Sequence, residues 1–597
     1  MPRLPSLGTL VTDALSTARR FPFPLVAALL AALSATLTAE DLGPEALQLR
    51  LLAAATLAIP LCTALAAFAE GAAWRPARRL AFQALGLLVC GGFFAAWPDW
   101  SETLRETRFW QLMAAFALAT AALPFLRRER PVVFWQYNAA LLLRAAAAAA
   151  SAATLFAGLA LALLALDKLF GVDVPGEGYG RLWFAIAFVF STWFFLAGVP
   201  KDLDALERSP HYPAIVKVFA QYILVPLVAM YLVILTLYFA KVVVTWSWPS
   251  GWIGWLVSGV SVAGIFAILL VHPIADEPEQ KWVGVFARDF WLGILPAVLM
   301  LWLALYQRIA QYGFTERRWF LLALSVWLGA AALYFGITRS KRIRLIPTSL
   351  GLLALLGYAG PWSAYAVARR SQVSRLETLL RRNGLLEAAG RRQPGRVVSG
   401  ADAGEINAAV RYLVTVHGAD ALRGLLGDSV ARRLRLEGAV ARQGGESQVR
   451  AIVGVFGVAY ALEWAHGAEG GRFNFRARER GPVPVRDFDF LVPLRLARDT
   501  ADAVRDTALA AVVIRDDHVV RIQRGADVLL ELPLDSIVAR AGRQLGRRIE
   551  VAPGVLFGTA ANARVTTTVY LTSLTGQNTK AHPAVQGVEG HALVRTK

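Results

Sequence analysis

Long apolar runs recur along the first 367 residues of the chain. About eleven runs have about eighteen to twenty-three residues, the length that carries a helix across the hydrocarbon core of a bilayer. A helix can make this crossing because its backbone donors and acceptors are satisfied internally. The pattern therefore predicts a polytopic α-helical membrane protein with about eleven transmembrane helices. Their predicted positions are residues 21–38, 51–69, 80–97, 109–125, 145–166, 182–199, 219–244, 251–271, 290–306, 319–337 and 346–367.

The segments that flank this predicted bundle have different patterns. Residues 1–20 place apolar side chains at helical spacing and predict a short interfacial helix, and residues 21–367 then form the transmembrane bundle. Residues 368–400 predict an amphipathic helix and a linker. Residues 401–597 predict a soluble α+β domain, because helical stretches there are followed by alternating apolar and polar segments. The predicted strands lie within residues 473–478, 485–496, 509–525 and 527–534.

Composition supports the membrane class and limits the partners. The 597-residue chain has a mean hydropathy of +0.47 and only 18% charged residues, which is too apolar for a soluble protein of this length. Of the net charge of +19, a share of +10 lies in the residues up to Arg370, where cationic loops beside lipid headgroups explain it. The other +9 lies in the predicted soluble part, where we expect a solvated basic face or contact with anionic headgroups. We therefore expect membrane lipids and other envelope proteins as partners, and no nucleic acid. Cys62 and Cys90 lie in apolar runs and the histidines form no ligand set, so no metal and no cofactor is predicted.

The distribution of Lys and Arg between alternate loops predicts the orientation. One set of loops holds nineteen basic residues and the other holds nine. Because basic residues favour the cytoplasmic side, the N-terminus is predicted to be cytoplasmic. With an odd number of spans, the C-terminal domain is then extracytoplasmic. This prediction depends on the parity of the span count.

Two adjacent carboxylates follow the first predicted span. Glu40 and Asp41 resemble, in placement, the acidic residues in the first external loop of integral-membrane glycosyltransferases that use polyprenyl phosphate. The loop here is short and lacks the helical insert of those enzymes, and acidic residues are common in external loops. Glu40 and Asp41 are therefore weak candidates for a catalytic role.

The charged stretch between the ninth and tenth predicted spans, "YQRIAQYGFTERRWF", has both a structural and a functional interpretation. Gly313 suits a helix C-terminus, Thr315 suits an N-cap, and Glu316 suits the first turn of the next helix. Capping does not explain the arginines, which stand on the side predicted to be external. Arg308 is positioned to reach headgroups or to bind an anion, and Arg317 and Arg318 are positioned to hold a lipid phosphate.

Two motifs make the sequence resemble a known family. They are Tyr-Gly-x-Thr-Glu-x-Arg from Tyr312 to Arg318, and Gly-Pro-Trp-Ser followed by Arg-Ser-Gln-x-x-Arg-Leu between Gly360 and Leu376. With the stretches around them, they resemble a bacterial family of multi-span membrane proteins described as domain of unknown function 4153, most strongly over residues 214–386. The resemblance implies an inner (plasma) membrane protein with a soluble C-terminal extension, and it implies no particular reaction. The motif residues and their neighbours give a candidate lipid- or anion-binding set of Arg308, Tyr312, Thr315, Glu316, Arg317, Arg318, Trp362, Gln372 and Arg375.

Three classes of function follow from this pattern. The first is an envelope protein whose bundle anchors an extracytoplasmic domain and binds lipid or partner proteins. The second is an integral-membrane transferase that acts on a polyprenyl- or lipid-linked substrate. The third is a transporter or flippase, which the absence of Asp and Glu near the middle of the predicted spans disfavours for an ion-coupled mechanism.

Overall fold

The computed structural model of the chain divides into two compact units. It describes residues 7–97, 101–127, 129–208, 212–246, 253–338, 340, 342–386, 398, 400–427, 430, 446–458, 472–477, 485–497, 509–514, 519–538, 550–551, 556–578 and 583–596. Unit 1 contains the described residues of Met1–Arg375 together with Thr415–Gly424. Unit 2 contains those of Leu376–Val414, Leu425–Val430 and Gly445–Lys597.

Unit 1 is built from helices. In chain order they are α1 (Leu7–Arg20), α2 (Pro22–Ala39), α3 (Glu45–Gly71), α4 (Pro76–Ala96), α5 (Glu102–Ala122), α6 (Pro131–Phe170), α7 (Gly176–Ala197), α8 (Leu203–Arg208), α9 (Ala214–Thr245), α10 (Ile253–Val271), α11 (Lys281–Gly293), α12 (Leu295–Tyr312), α13 (Glu316–Thr338), α14 (Leu345–Leu356) and the first part of α15 (Ala364–Arg382). The helices α2 and α3 pack against each other, and both carry buried small residues such as Ala31 and Ala58, which suit a close approach of helix backbones.

Nine helical segments in the described part of the chain are long and apolar enough to cross a membrane. They match nine of the predicted spans and confirm the polytopic helical class. The remaining two predicted spans correspond to α5, which begins with the charged sequence "ETLRETR", and to α14, which is apolar but only 12 residues long. The span predicted at residues 346–367 is not one helix: α14 ends at Leu356, and α15 begins at Ala364.

One end of unit 1, here called the Glu70 end, collects helix termini from distant parts of the chain. Arg20 at the end of α1 is paired with Glu70 near the end of α3, with Nη2 and Oε2 2.7 Å apart. The same guanidinium donates to the carbonyl of Val199, just after α7, at 2.7 Å. Arg344, which precedes α14, donates to the carbonyl of Phe125 after α5 at 2.9 Å.

The opposite end, here called the Gly313 end, collects the other termini. An ion pair between Glu40 and Arg181 joins the end of α2 to the start of α7. The amide of Phe314, between α12 and α13, donates to the hydroxyl of Ser371 at 2.9 Å. With α11 and α12 counted as one traverse and the short α8 left out, the described helices from α2 to α14 run between these ends eleven times. Nine of these eleven segments are long and apolar enough to cross a membrane.

Unit 2 combines helices with a mixed sheet. After α15 come α16 (Gly400–Tyr412) and α17 (Glu446–Val455), which pack against each other. The strands among the described residues are β1 (Arg472–Ala477), β2 (Phe490–Ala497), β3 (Leu509–Ile514), β4 (Val519–Arg524), β5 (Asp527–Pro533), β6 (Glu550–Val551), β7 (Phe557–Ala561), β8 (Val565–Asn578) and β9 (Pro583–Thr596). The strand order is β5-β4-β3-β2-β9-β8-β1-β6, and β7 also pairs with β8. The α+β class predicted for the C-terminal domain is confirmed.

The sheet is mostly antiparallel, and its largest buried cluster lies on one of its two faces. Only β1–β6 and β2–β3 pair in parallel among the described strands. Strands β1 to β5 lie in the four segments that the alternation predicts, whereas the long hairpin β8–β9 is missing from that prediction. A buried cluster lies on one side of the sheet and includes Val513, Val520, Ile522, Val569, Leu571 and Val594.

Candidate functional site

The Gly313 turn, residues 313–315, links α12 to α13 through a conformation that requires glycine. Gly313 has φ +70° and ψ −179°, a backbone region that side chains with a Cβ rarely occupy. A Cβ built on Gly313 would lie 3.0 Å from both Nε2 of Gln372 and Oγ of Ser371. The turn is therefore formed in close contact with α15, which carries the second motif.

Two side chains of α15 hold the backbone of the Gly313 turn. The hydroxyl of Ser371 accepts a hydrogen bond from the amide of Phe314 at 2.9 Å. The amide group of Gln372, which is 3% exposed, donates to the carbonyls of Tyr312 and Phe314 at 2.7 and 2.8 Å. Since helix termini leave backbone groups without intrahelical partners, these bonds satisfy groups that would otherwise be orphaned. The structure thus assigns the Gln372 amide to the turn.

Two arginines of the motifs surround Tyr312 at the end of α12. Arg318 donates to the carbonyl of Gly313 at 2.7 Å, and its guanidinium carbon lies 5.6 Å from the centre of the Tyr312 ring. The guanidinium carbon of Arg375 lies 5.7 Å from the same ring. Cations at a helix C-terminus interact favourably with its dipole, and stacking on an aromatic face adds to this. Both arginines therefore contribute to the local structure of the turn.

Other predicted site residues lie on the exposed side of the turn. Arg308 and Arg317 are exposed, and neither takes part in an ion pair within the described ranges. Tyr312 is 46% exposed and Trp362 is 58% exposed, with the indole N–H of Trp362 donating to the carbonyl of Leu356 at 2.9 Å. Thr315 is half-buried. Further exposed aromatic side chains lie near the ends of α9, α10 and α12: Trp246, Trp255 and Tyr306.

Glu316 lies away from this exposed surface. It is 8% exposed and forms a buried contact with His417, whose Nε2 lies 3.1 Å from Oε1 of Glu316. The segment Thr415–Gly424 that carries His417 belongs to unit 1, and the hydroxyl of Ser101 donates to the carbonyl of Val416 in the same segment. The sequence could not predict His417 as a partner of Glu316, because these two residues are about a hundred positions apart and share no motif.

A polar network beneath the second motif was also missed. The hydroxyl of Tyr365 donates to Oε1 of Gln111 at 2.7 Å, and the amide of Gln111 donates to the carbonyl of Ala354 at 2.7 Å. The guanidinium carbon of Arg108 lies 4.0 Å from the centre of the Tyr365 ring. This network links α5, α14 and α15. A polar face on α5 is the sequence signal that could have predicted it, since Arg108 and Gln111 are three positions apart on a helix.

The carboxylates after the first span have a structural environment of their own. Glu40 is paired with Arg181, and its side chain is 12% exposed. Asp41 is exposed and has φ +53°, which places it in a tight turn. Among the described residues, no hydrogen bond or ion pair joins either carboxylate to the arginines of the Gly313 turn. No group of three or more His, Cys, Asp or Glu residues that could hold a metal ion occurs among the described residues of the chain.

Comparisons with known proteins bear on the family of this chain. The family model described as "Domain of unknown function (DUF4153)" matches residues 25–388, which is more than half of the 597 residues. The chain is also similar to the uncharacterized protein PM1469 of Pasteurella multocida (strain Pm70), with 28% identity over 181 residues. This similarity covers 30% of the chain and 29% of that relative, so the chain spans less than a third of the relative's length.

No solved structure matches the chain significantly. The family match includes both motifs, the Gly313 turn and all of α15. The resemblance inferred from these motifs is therefore confirmed, and the chain belongs to the DUF4153 family of proteins.

Proposed function

We propose that this chain is a multi-pass inner-membrane protein whose helical bundle anchors an extracytoplasmic α+β domain and binds anionic lipid headgroups at the Gly313 turn. The proposal rests on two exposed arginines that flank the turn in the chain, Arg308 and Arg317, together with the exposed rings of Tyr312 and Trp362. Neither arginine has a carboxylate partner in the described part of the chain, so both guanidinium groups are available to a phosphate.

The surroundings of the turn favour lipid over a soluble anion. Trp and Tyr are enriched where a membrane protein meets the headgroups. Exposed Trp246, Trp255 and Tyr306 lie on helices that end or begin at the Gly313 end. Arginine forms paired hydrogen bonds with phosphate, and a basic residue near an anionic surface contributes about 1 kcal/mol of attraction.

The anchoring part of the proposal rests on α15. This helix begins in unit 1, where Ser371 and Gln372 hold the Gly313 turn, and it continues into unit 2. Eleven traverses of unit 1 support an odd number of membrane crossings, and the loop charges then favour a cytoplasmic N-terminus.

Native mass spectrometry of the purified full-length protein tests the headgroup site. The double variant Arg308→Ala/Arg317→Ala is compared with the wild type for binding of phosphatidylglycerol. Because hydrogen bonds to charged groups each contribute about 1.5–3 kcal/mol, we expect at least about tenfold weaker binding in the variant.

The matched control is Arg288→Ala at the Glu70 end, where an exposed arginine is paired with its neighbour Asp289 at 2.6 Å. We expect this variant to bind phosphatidylglycerol as the wild type does. Equal binding by the double variant and the control would refute a lipid site at the Gly313 turn.

A further inference from the structure

Two adjacent cavities lie at the Glu70 end of unit 1, away from the Gly313 turn. The first has a volume of about 310 Å³ and the second about 220 Å³. Both are lined by Phe125 and Arg130, so they are neighbours. Their combined lining contains six Lys or Arg residues and four Asp or Glu residues, and this cationic excess favours an anion.

Some cations of the first cavity are already engaged by the protein. Arg20 is held by both carboxylate oxygens of Glu70, at 2.8 and 2.7 Å, and by backbone carbonyls. Arg130 is paired with Asp204. These pairs form a fixed wall, and they leave little capacity for a ligand.

Two other cations of this cavity have no carboxylate partner within the described ranges. The guanidinium carbon of Arg127 lies 5.6 Å from the centre of the Phe68 ring, and Arg127 is exposed. The ammonium of Lys201 has only a long contact of 3.5 Å with the hydroxyl of Ser16. Arg127 and Lys201 therefore supply donors for an anion that enters from the Glu70 end.

A buried hydroxyl in the lining gives independent evidence for a polar occupant. Tyr137 lines the first cavity and is 1% exposed, and its hydroxyl has no hydrogen-bond partner among the described residues. Buried polar groups in proteins are nearly always hydrogen-bonded to protein, water or ligand. The Tyr137 hydroxyl is thus available as a hydrogen-bond donor and acceptor in the wall of the cavity.

The second cavity has different chemistry. Its inner side is formed by the apolar side chains of Phe125, Phe134 and Ile343, each at most 4% exposed. Arg342 and Arg344 stand at its rim, and Arg344 is held by Glu129 at 2.6 Å. An apolar pocket beside a cationic one fits a ligand that has both an anionic and a hydrocarbon part.

We propose that the two cavities form one site for an amphiphile with a phosphate head. Arg127 and Lys201 bind the phosphate in the first cavity. The start of a hydrocarbon chain packs against Phe125, Phe134 and Ile343 in the second. This site lies at the opposite end of unit 1 from the Gly313 turn and does not depend on the function proposed above.

The test uses full-length protein that carries Arg308→Ala and Arg317→Ala, so that the Gly313 end does not contribute. Binding of dioleoyl phosphatidic acid is measured by native mass spectrometry before and after the further changes Arg127→Ala and Lys201→Ala. Arg127 and Lys201 line the cavity and take no part in the pairs Arg20–Glu70 and Arg130–Asp204, so the two substitutions leave these pairs intact. We expect binding to weaken at least about tenfold, since two charged hydrogen-bonding groups are lost.

The matched control is Arg78→Ala, an exposed arginine at the start of α4 that stacks on Trp74 at 4.0 Å and lies outside both cavities. This change should leave phosphatidic acid binding unaltered. If the changes Arg127→Ala and Lys201→Ala also left phosphatidic acid binding unaltered, the proposal would be overturned.

Two ligand comparisons distinguish a lipid from a soluble phosphate. Glycerol 3-phosphate has the head without the chains, and we expect it to compete at least tenfold more weakly than phosphatidic acid. Dioleoyl phosphatidylcholine has the chains with a zwitterionic head, and we expect it to bind weakly. Equal affinity of either ligand and phosphatidic acid would contradict an amphiphile site with an anionic head.

Discussion

Individual residues of the two motifs have separable tasks. Gly313, Ser371 and Gln372 build the joint between the Gly313 turn and α15, while Tyr312 and Trp362 remain exposed. A motif therefore need not act as one binding site, since part of it has a structural role. The sequence could indicate that Gly313 ends a helix, because glycine is common there. It could not indicate that the Gln372 amide would fill the space beside Gly313, because that contact joins residues about sixty positions apart.

Replacement of Gly313 by Ala should destabilise the protein. The backbone region at φ +70° costs a residue with a Cβ about 1–3 kcal/mol, and the new methyl group would also press on Gln372 and Ser371. The measurement is the thermal unfolding midpoint of the full-length protein in detergent. Gly91→Ala is the control, because Gly91 lies in α4 with nothing within 4 Å of a built Cβ. If Gly313→Ala were as stable as Gly91→Ala, the inference that the Gly313 turn requires glycine would be wrong.

Helices and strands with a strong pattern of apolar residues could be predicted from the sequence, and those with a weak pattern could not. Long apolar runs predict the helices of unit 1, because a segment in lipid must satisfy its backbone hydrogen bonds internally. The span predicted at residues 346–367 is divided because "GYAGPW" interrupts it, and the described chain turns there with Gly360 at φ +89°. The hairpin β8–β9 was missed because its strands are rich in Thr, Gly and Gln, which weakens the apolar alternation. Long-range strand pairs and the Glu316–His417 contact depend on tertiary packing.

The start of β2 is tied to the end of β9 by Asp489. One carboxylate oxygen accepts from the amide and the hydroxyl of Thr596 at 2.8 and 2.9 Å, and these bonds lower the pKa of Asp489 below its usual value. A lowered pKa in the folded state means that the carboxylate stabilises the fold above its ordinary pKa and loses this effect as pH falls through the lowered value.

The variant Asp489→Asn should therefore unfold at a lower temperature than the wild type at pH 7, and this difference should shrink as the pH falls below the ordinary carboxyl pKa. Scanning fluorimetry of the full-length protein across that range provides the measurement. Asp527→Asn serves for comparison, because Asp527 is exposed and 3.9 Å from its nearest cation. A difference between Asp489→Asn and wild type that does not change with pH would argue against the ionised carboxylate.

On the scale of the whole molecule, the parity of the helix traverses determines which residues share a side of the membrane. Eleven traverses of unit 1 place Glu40, Gly313 and the start of α15 at one end and Glu70 at the other. The sequence could predict this alternation from its apolar runs and loop charges. The two proposed binding sites therefore lie at opposite ends of unit 1, and under the proposed topology the Gly313 end is extracytoplasmic and the Glu70 end is cytoplasmic.

Labelling of single introduced cysteines by a membrane-impermeant maleimide in intact cells tests this arrangement most directly. Native Cys62 and Cys90 are buried, which keeps the background low. We predict that Asp41→Cys at the Gly313 end and Arg564→Cys in unit 2 react in intact cells once the outer barrier is permeable to the reagent. Arg208→Cys at the Glu70 end should react only after lysis. Reaction of Arg564→Cys only after lysis, with Asp41→Cys still reacting in intact cells, would contradict both an extracytoplasmic domain and the odd number of crossings.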